Sequence, residues 1–346
     1  MHQQAKNAQK LFYVFVFIYG LFANPSESIT PEVEQLIRSW SPLIWLHSEE
    51  RFLPSTVEFF LPEVTIQDEQ SILVQDYVTP ETLIGGENSS VLHMQTREPL
   101  DCPACYNLDV FFGQSINNGS VPVYTIYREY DDAFNTLDVS YFAFYPYNRG
   151  KDACVGVPVN GSCVGAEKNL GNHVGDWEHN ALRFRNGQPY IFHLNVHSFG
   201  SYYLWNESTN NFHFFLGEEV RTAVDQDNEP VEIEERYEPK YPPTVELIGT
   251  HPVVYSANGS HGLWGSPGMA WTTWDNLIII PWLPSNTSYE GNLNWLNFLG
   301  DWGNSAEGCE YEIVTGECEL GSGPSGPRSK VDFPDPQPKT SFSLNF

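Results

Sequence analysis

The sequence predicts a mainly β protein, an antiparallel β-sandwich with a few short peripheral helices and long loops. Runs rich in Val, Ile, Tyr, Phe and Thr recur between clusters of Gly, Pro and Asn, which is the pattern of short strands joined by turns. Helical periodicity is scarce by comparison. Many short strands with frequent turns favour antiparallel sheets packed face to face.

Two segments have the features of helices. Residues 31–40 follow Thr30, a suitable N-cap, and residues 289–299 could form a second short helix. The acidic stretch from Glu218 to Pro243 lacks the spacing of a calcium loop and is predicted to be a solvated loop or hairpin. Strands are predicted at residues 121–127, 139–147, 180–184, 190–197, 202–205, 212–215, 245–247, 253–257 and 277–280.

The N-terminus has the order of a secretory signal peptide. Lys6 and Lys10 precede an apolar run from Leu11 to Ala23, and polar or helix-breaking residues follow. The run is shorter than the roughly 18–20 residues that a membrane span needs. We therefore expect residues 1–28 to be removed, residues 29–320 to form one domain, and residues 321–346, rich in Pro, Gly and Ser, to be a disordered tail.

Cysteines and glycosylation sequons indicate an oxidising compartment. The six cysteines fall into three close pairs, so we expect the bridges Cys154–Cys163 and Cys309–Cys318, and Cys102–Cys105, although its two-residue spacing strains a bridge. These features predict that the protein is secreted or resides in the lumen of the vacuole or another endomembrane compartment. Six N-x-S/T sequons each predict a glycosylated surface loop, at Asn88, Asn118, Asn160, Asn206, Asn258 and Asn286.

Charge and motifs exclude several classes of function. The formal net charge is −27, which argues against a nucleic-acid partner and against simple electrostatic docking on anionic lipid, because both need basic patches. The sequence has no HExxH motif, P-loop, dinucleotide fingerprint or Gly-x-Ser-x-Gly elbow. No nucleotide cofactor is expected.

The segment NLGNHVGDWEHNALRF, residues 169–184, has the side chains best suited to chemistry. Side chains alternate along a strand, so Asp176 and Glu178 share one face. Two carboxylates at this spacing repel each other unless a cation, protonation or an arginine relieves the repulsion. We therefore predict a divalent-cation site with Asp176, Glu178 and His173 as ligands and Ca²⁺, Mg²⁺ or Mn²⁺ as the metal.

Other side chains near this segment or in strand-flanking loops are candidates for contact with a bound ligand. Tryptophan rings would pack on the face of a sugar, and imidazoles would bind its hydroxyls. A glycine-rich loop around His261 permits close approach of a ligand. The candidates are Trp177, His179, His197, His261 and Trp264.

Several of these segments resemble the Vps62 family, named for its association with vacuolar protein sorting. The matching pieces are SPLIWLHSEERFLPSTVEFF, YFAFYPYN, GNHVGDWEH, the HS at residues 197–198, YSANGSHGLWGSPG and FLGDWGN, which together span residues 41–304. GNHVGDWEH is also similar to the signature GHRHDWE of necrosis-inducing (NLP-type) secreted proteins, which helps bind a divalent cation on a β-sandwich that recognises membrane sphingolipid glycans. Asp176, Trp177 and Glu178 match that signature, whereas Gly175 stands where it has a His.

Our leading hypothesis is a non-enzymatic secretory-pathway protein of the Vps62-like class. Its cation site would bind a glycan or a lipid head group, with a link to vacuolar sorting or to peripheral contact with a membrane. One alternative is a metal-dependent hydrolase in which the cation activates water and a histidine of the cluster acts as general base or acid. The other is a purely structural cluster in a secreted binding protein.

Overall fold

The computed structural model describes residues 29–100, 107–159, 162–196, 199–218, 221–224, 230–233, 241–266, 271–274, 277–282, 288–306 and 318–333. The chain divides into two compact units, residues 1–37 and 38–346. Helix α1 (Pro31–Ser39) confirms the predicted helix, and Thr30 Oγ1 caps it by accepting a hydrogen bond from Val33 N at 3.3 Å. A second, four-residue helix is α2 (Val57–Phe60), and the segment 289–299 contains a 3-10 helix, Gly291–Asn297.

The rest of the described chain is dominated by strands, as predicted. They are β1 (Leu43–His47), β2 (Val64–Asp68), β3 (Leu73–Gln75), β4 (Leu92–Thr96), β5 (Val123–Glu129), β6 (Leu137–Asn148), β7 (Lys151–Val159), β8 (Ser162–Leu170), β9 (His173–Arg185), β10 (Gln188–Val196), β11 (Phe199–Asn206), β12 (Asn211–Glu218), β13 (Arg221–Val224), β14 (Pro230–Ile233), β15 (Leu247–Ile248), β16 (His251–Ser256), β17 (Leu263–Trp264), β18 (Trp271–Trp274) and β19 (Leu277–Pro281).

A seven-stranded sheet in the order β12-β11-β10-β9-β6-β5-β19 forms the centre of the fold. All its neighbours are antiparallel except β19 and β5, which are parallel. Every residue of β6 is buried, and β9 is buried over nearly all of its length. Burial on both faces of these two strands shows that the sheet is covered on both sides.

A second sheet, in the order β15-β16-β1-β18 with β17 on β16, covers one face of the central sheet. Tyr145 of β6 reaches it, and its hydroxyl lies 3.1 Å from Ser256 Oγ of β16. The opposite face carries the main hydrophobic core, where Phe144 packs on Phe60 and Trp177. The predicted β-sandwich is therefore confirmed, with one addition, since β1 and β16 also pair in parallel.

Strands β7 and β8 form a separate hairpin with the predicted Cys154–Cys163 disulfide. The strand register pairs Cys154 with Glu167, yet the Cα atoms of the two cysteines are only 5.5 Å apart. The hairpin is therefore sharply bent. Gly156 and Gly165 face each other at the bend, where a Cβ atom on either would collide with the opposite backbone.

Residues 321–333 pack against the body of the protein, which corrects the expectation of a disordered tail beginning at Gly321. Gly321 N donates to Asn172 O at 2.6 Å, Trp302 N donates to Pro324 O at 2.8 Å, and Phe333 is buried. Glycine and proline allow this extended segment to run close against other backbone, because Gly323 lies where any side chain would collide with Gly303.

Other predictions concern exposed or undescribed positions. Asn88, Asn206 and Asn258 are exposed, and Asn118 ends a 3-10 helix, Ile116–Asn118. Among the described residues, no helix is both long and apolar enough to cross a membrane. The following predictions lie outside the described residues: the signal peptide 1–28, Cys102, Cys105, Cys309, His197, Asn160, Asn286 and the tail beyond residue 333.

Candidate functional site

The first half of β9 positions the polar cluster that the sequence predicts. The strand includes residues 173–179 and so begins seven residues before the predicted strand at 180–184. Gly175 has a φ of 65°, and a Cβ atom there would collide with the carbonyl oxygen of Trp302. Only glycine fits this combination of left-handed backbone and close packing, so Gly175 sets the course of the chain just before Asp176.

Asp176 is the centre of the cluster. Its Oδ2 accepts hydrogen bonds from Asn148 Nδ2 and from His261 Nδ1, both at 3.0 Å. Its Oδ1 lies 3.9 Å from His173 Nε2. Burial alone would raise the pKa of Asp176, but the hydrogen bond from His261 and the nearby His173 lower it below the usual value. Asp176 is therefore a buried, ionised carboxylate.

His261 is held between two carboxylates. It is fully buried, its ring stacks on Tyr145 at 3.8 Å between centroids, and its Nε2 lies 3.7 Å from Glu50 Oε2. Burial on its own would lower the pKa of His261, but Glu50 and Asp176 together raise it to about 9. The imidazole is thus a cation at neutral pH and neutralises part of the charge of both acids.

Glu50 belongs to this network, although the sequence analysis did not identify it as a site residue. Its carboxylate accepts hydrogen bonds from Gly259 N at 2.6 Å and Phe52 N at 2.8 Å, so it anchors the glycine-rich loop that carries His261. Burial would raise the pKa of Glu50, and His261 with these backbone donors lowers it. The sequence signal that could have identified Glu50 is its place in the segment SPLIWLHSEER, shortly after a strand.

Glu178 and Lys330 are two further buried ionisable groups of the cluster. Burial and the charge of Asp176 raise the pKa of Glu178 to about 8, so that it carries a proton at neutral pH. Lys330 comes from the segment expected to be disordered, and its Nζ donates to Trp177 O at 3.1 Å. Protonation of Glu178, together with the cations His261 and Lys330, relieves the repulsion that the sequence predicts between Asp176 and Glu178.

Two predicted ligand contacts lie on the other face of β9, because neighbouring side chains alternate. Trp177 is buried in the main core and stacks on Trp295 at 5.5 Å. His179 stacks on Phe142 at 5.0 Å, and burial lowers its pKa well below the usual value, so it is neutral. Trp264 is partly buried on β17, opposite Tyr255 of β16.

At the rim of the cluster, a ring nitrogen of His173 and a carboxylate oxygen of Asp176 lie close together. His173 Nδ1 lies 2.7 Å from Gly175 O, and since a carbonyl can only accept, Nδ1 donates this hydrogen bond. The contact orients the ring so that Nε2 lies 3.9 Å from Asp176 Oδ1. Metal-binding histidines are commonly oriented by such a backbone contact. Among the described residues, no group of three or more His, Cys, Asp or Glu side chains is arranged to hold a metal ion.

Together, the fold and the cluster define a β-sandwich protein whose central strand begins in a buried network of histidine and carboxylates. The chain belongs to the Vps62 family: the family model described as vacuolar protein sorting-associated protein 62 matches residues 21–218. Membership relates the chain to vacuolar protein sorting.

Two relatives from Saccharomyces cerevisiae support the assignment. The protein TDA6, assigned by its name to vacuolar protein sorting, is 22% identical over 347 residues, covering 86% of this chain and 67% of that protein. Vacuolar protein sorting-associated protein 62 is 26% identical over 188 residues, covering 49% of this chain and 37% of that protein. The chain therefore matches about two thirds of the length of the first relative and little more than a third of the second.

A solved structure also aligns with the chain. It is the crystal structure of necrosis and ethylene inducing protein 2 from the causal agent of witches' broom disease of cocoa, with 11% identity, a TM-score of 0.25 and coverage of 74% of each chain. This score is too low to establish a common fold.

Proposed function

We propose that the chain is a non-enzymatic binding protein of the endomembrane lumen that serves vacuolar sorting by recognising an oxygen-rich head group, a glycan or the polar part of a lipid. Recognition depends on a divalent cation held at the rim of the cluster by Asp176 and His173. Family membership and the Cys154–Cys163 disulfide support the compartment. The resemblance of Asp176, Trp177 and Glu178 to a cation-binding signature supports the site.

The observation that carries the proposal is the orientation of His173 toward Asp176. Asp176 Oδ2 is occupied by His261 and Asn148, but Oδ1 faces His173 Nε2 at 3.9 Å. The side chain of His173 is 20% exposed, whereas that of Asp176 is 7% exposed, so the pair lies where the buried network meets solvent. Mg²⁺ and Mn²⁺ suit such a site, because protein ligands can supply part of the shell and water or a ligand's oxygens the rest.

The buried residues behind the rim hold these two ligands in place. His261 and Asn148 fix one oxygen of Asp176, and Gly175 O fixes the ring of His173. A bound cation supplies a point of charge that coordinates hydroxyl or phosphate oxygens of the head group.

The geometry favours binding over hydrolysis. A hydrolase would need an imidazole free to accept a proton from a metal-bound water. His261, the histidine bonded directly to Asp176, is fully buried beneath Tyr145 and is already protonated at neutral pH. A protonated, inaccessible imidazole does not act as a general base.

Vesicle flotation tests the proposal. We expect the wild-type protein to float with phosphatidylcholine vesicles that contain glycosphingolipid or phosphoinositide when Mn²⁺ is present, and to remain in the soluble fraction with a chelator. Asp176→Asn should lose this binding. Asp138→Asn is the matched control, because Asp138 is a buried carboxylate of the same sheet that binds Arg183 away from the cluster, at 2.7 and 2.9 Å.

Two outcomes of the flotation experiment would contradict the proposal. If the wild-type protein binds none of these vesicles and no soluble glycan with or without Mn²⁺, or binds them equally in chelator, recognition does not depend on a cation at Asp176.

A further inference from the structure

An open cavity of about 630 Å³ lies at the end of the β11–β12 hairpin, on the edge of the central sheet and lined by none of the residues of the polar cluster. Its size is in the range of roughly 300–1,000 Å³ that is usual for small-molecule sites. Aromatic and polar side chains line it together, among them Trp205, Asn206, Ser208, His213, Phe214 and Phe215.

The aromatic side of the cavity packs against neighbouring rings but is incompletely covered. Trp205 packs edge-on against Trp40 at 5.2 Å, and Phe214 stacks on Tyr241 at 5.9 Å. Phe214 and Phe215 nevertheless remain 42% and 46% exposed. Adjacent exposed aromatic rings mark a surface on which another group can pack.

The backbone beside the cavity is already hydrogen-bonded to another segment, so an added strand would not pair with it there. Phe214 N donates to Pro243 O at 2.9 Å, and Val245 N donates to Phe212 O at 3.1 Å, so the outer edge of β12 is already paired there. What remains available are the faces of the rings and the polar groups around them. That combination suits a sugar, which has an apolar face of C–H groups and a rim of hydroxyls.

The residues that line the cavity indicate which group occupies it. Asn206, Glu207 and Ser208 form an N-x-S sequon, all three line the cavity, and Asn206 is exposed. Asn206 Oδ1 accepts hydrogen bonds from Ser208 N at 2.9 Å and Ser208 Oγ at 2.6 Å, which fixes the plane of its amide. We infer that an N-linked glycan on Asn206 folds back into this cavity, with its first sugars packed on Phe214 and Phe215.

The modification is the transfer of an oligosaccharide from a lipid-linked diphosphate donor. Asn206 Nδ2 forms a bond to C1 of the first sugar and loses one proton, while the bond from C1 to the diphosphate oxygen breaks and the lipid diphosphate leaves. No oxidation or reduction occurs. Because the glycan is attached to a residue of the cavity wall, its packing is intramolecular and is favoured by a high effective concentration.

The experiment uses full-length protein secreted from eukaryotic cells. Mass spectrometry of peptides is expected to find Asn206 glycosylated. Asn206→Gln should then lower the melting temperature by about 2 °C, because contacts present only in the folded state are lost. Asn88→Gln is the matched control, since Asn88 is an exposed sequon that does not line this cavity, and it should leave the melting temperature unchanged.

A double-mutant cycle separates glycan packing from a local effect of the asparagine. Phe215→Ala should lower the melting temperature when Asn206 is glycosylated and have no effect in the Asn206→Gln background. Ile278→Ala, which removes an exposed apolar side chain on β19 at the opposite edge of the sheet, should act equally in both backgrounds.

Three results would overturn the inference. They are an unmodified Asn206 in secreted protein, a Phe215→Ala effect of equal size in both backgrounds, and stabilisation of the glycosylated wild type by a soluble oligomannoside to the same extent as Asn206→Gln. The last result would assign the cavity to an external glycan. None of these results bears on the cation site, which lies elsewhere in the fold.

Discussion

At the scale of single residues, Gly175 determines where Asp176 is placed. Its φ of 65° and the close approach of Trp302 O leave no room for a side chain. We expect Gly175→Ala to lower the free energy of unfolding by more than about 3 kcal/mol, because the left-handed backbone alone costs roughly 1–2 kcal/mol and the collision adds to it. Denaturant unfolding measures the change.

Gly187→Ala is the control for that prediction. Gly187 also has a positive φ, 74°, but no atom lies within 4 Å of the Cβ that would be added. Only the backbone cost of about 1 kcal/mol should remain. Equal losses for the two variants would show that contact with Trp302 contributes nothing to the position of Asp176.

The sequence predicts the residues of the site to different extents. The alternation of β9 correctly groups Asp176 with Glu178, because it depends only on neighbouring residues. The same alternation puts Trp177 and His179 on the other face, although they had been considered ligand contacts. Glu50 could not be found this way, since its contact with the loop of His261 arises from the parallel pairing of β1 and β16, which are far apart in the chain.

At the scale of elements, the segment 318–333 packs against the start of β9. The register of β10 with β9 ends at Leu194 and Asn180, and three residues earlier on β9 Lys330 Nζ donates to Trp177 O at 3.1 Å. Lys330→Met should lower the free energy of unfolding by about 1–3 kcal/mol, because it removes this donor and leaves the acids of the cluster with less positive charge. Thermal and denaturant unfolding measure the loss.

Lys168→Met is the matched control at the same scale. Lys168 pairs with Glu319 at 2.8 Å on a half-exposed surface, and such pairs contribute about 0–1 kcal/mol. If Lys330→Met were as mild as Lys168→Met, the segment would contribute little to the cluster.

The sequence predicts a helix or strand correctly where the pattern that defines it lies within neighbouring residues. The strands of the central sheet follow from runs of β-branched and aromatic residues, and helix α1 follows from its N-cap, Thr30. The packing of residues 321–333 was missed, because a composition rich in Pro, Gly and Ser describes both a disordered tail and an extended segment that fits closely against other backbone.

At the scale of the whole molecule, the buried titratable groups predict a stability maximum near pH 6.5. The pKa of His261 is raised to about 9 and that of Glu178 to about 8, so the stability they contribute is lost as pH rises toward those values. Burial lowers the pKa of His193 to about 4 and lowers that of His179, so stability is also lost as pH falls below about 6.5.

Unfolding measured in chelator from pH 4.5 to 9 checks this prediction. The wild type should lose more than about 1 kcal/mol between pH 6.5 and pH 9, which corresponds to about one unit of pKa shift. His261→Gln should show a flatter alkaline limb, since the group that titrates there is gone. A wild-type profile that rises steadily to pH 9 would contradict the assignment of His261 as a buried cation.

The most direct test of the proposed function is a calorimetric titration of the wild-type protein with Mn²⁺ at pH 6.5. We expect one site, with Mn²⁺ affinity at least about tenfold lower in His173→Ala and Asp176→Asn and unchanged in Asp138→Asn. Folding of each variant is checked by its melting temperature without metal. Absence of binding in the wild type, or binding of equal strength in Asp176→Asn, would contradict a cation site at the start of β9.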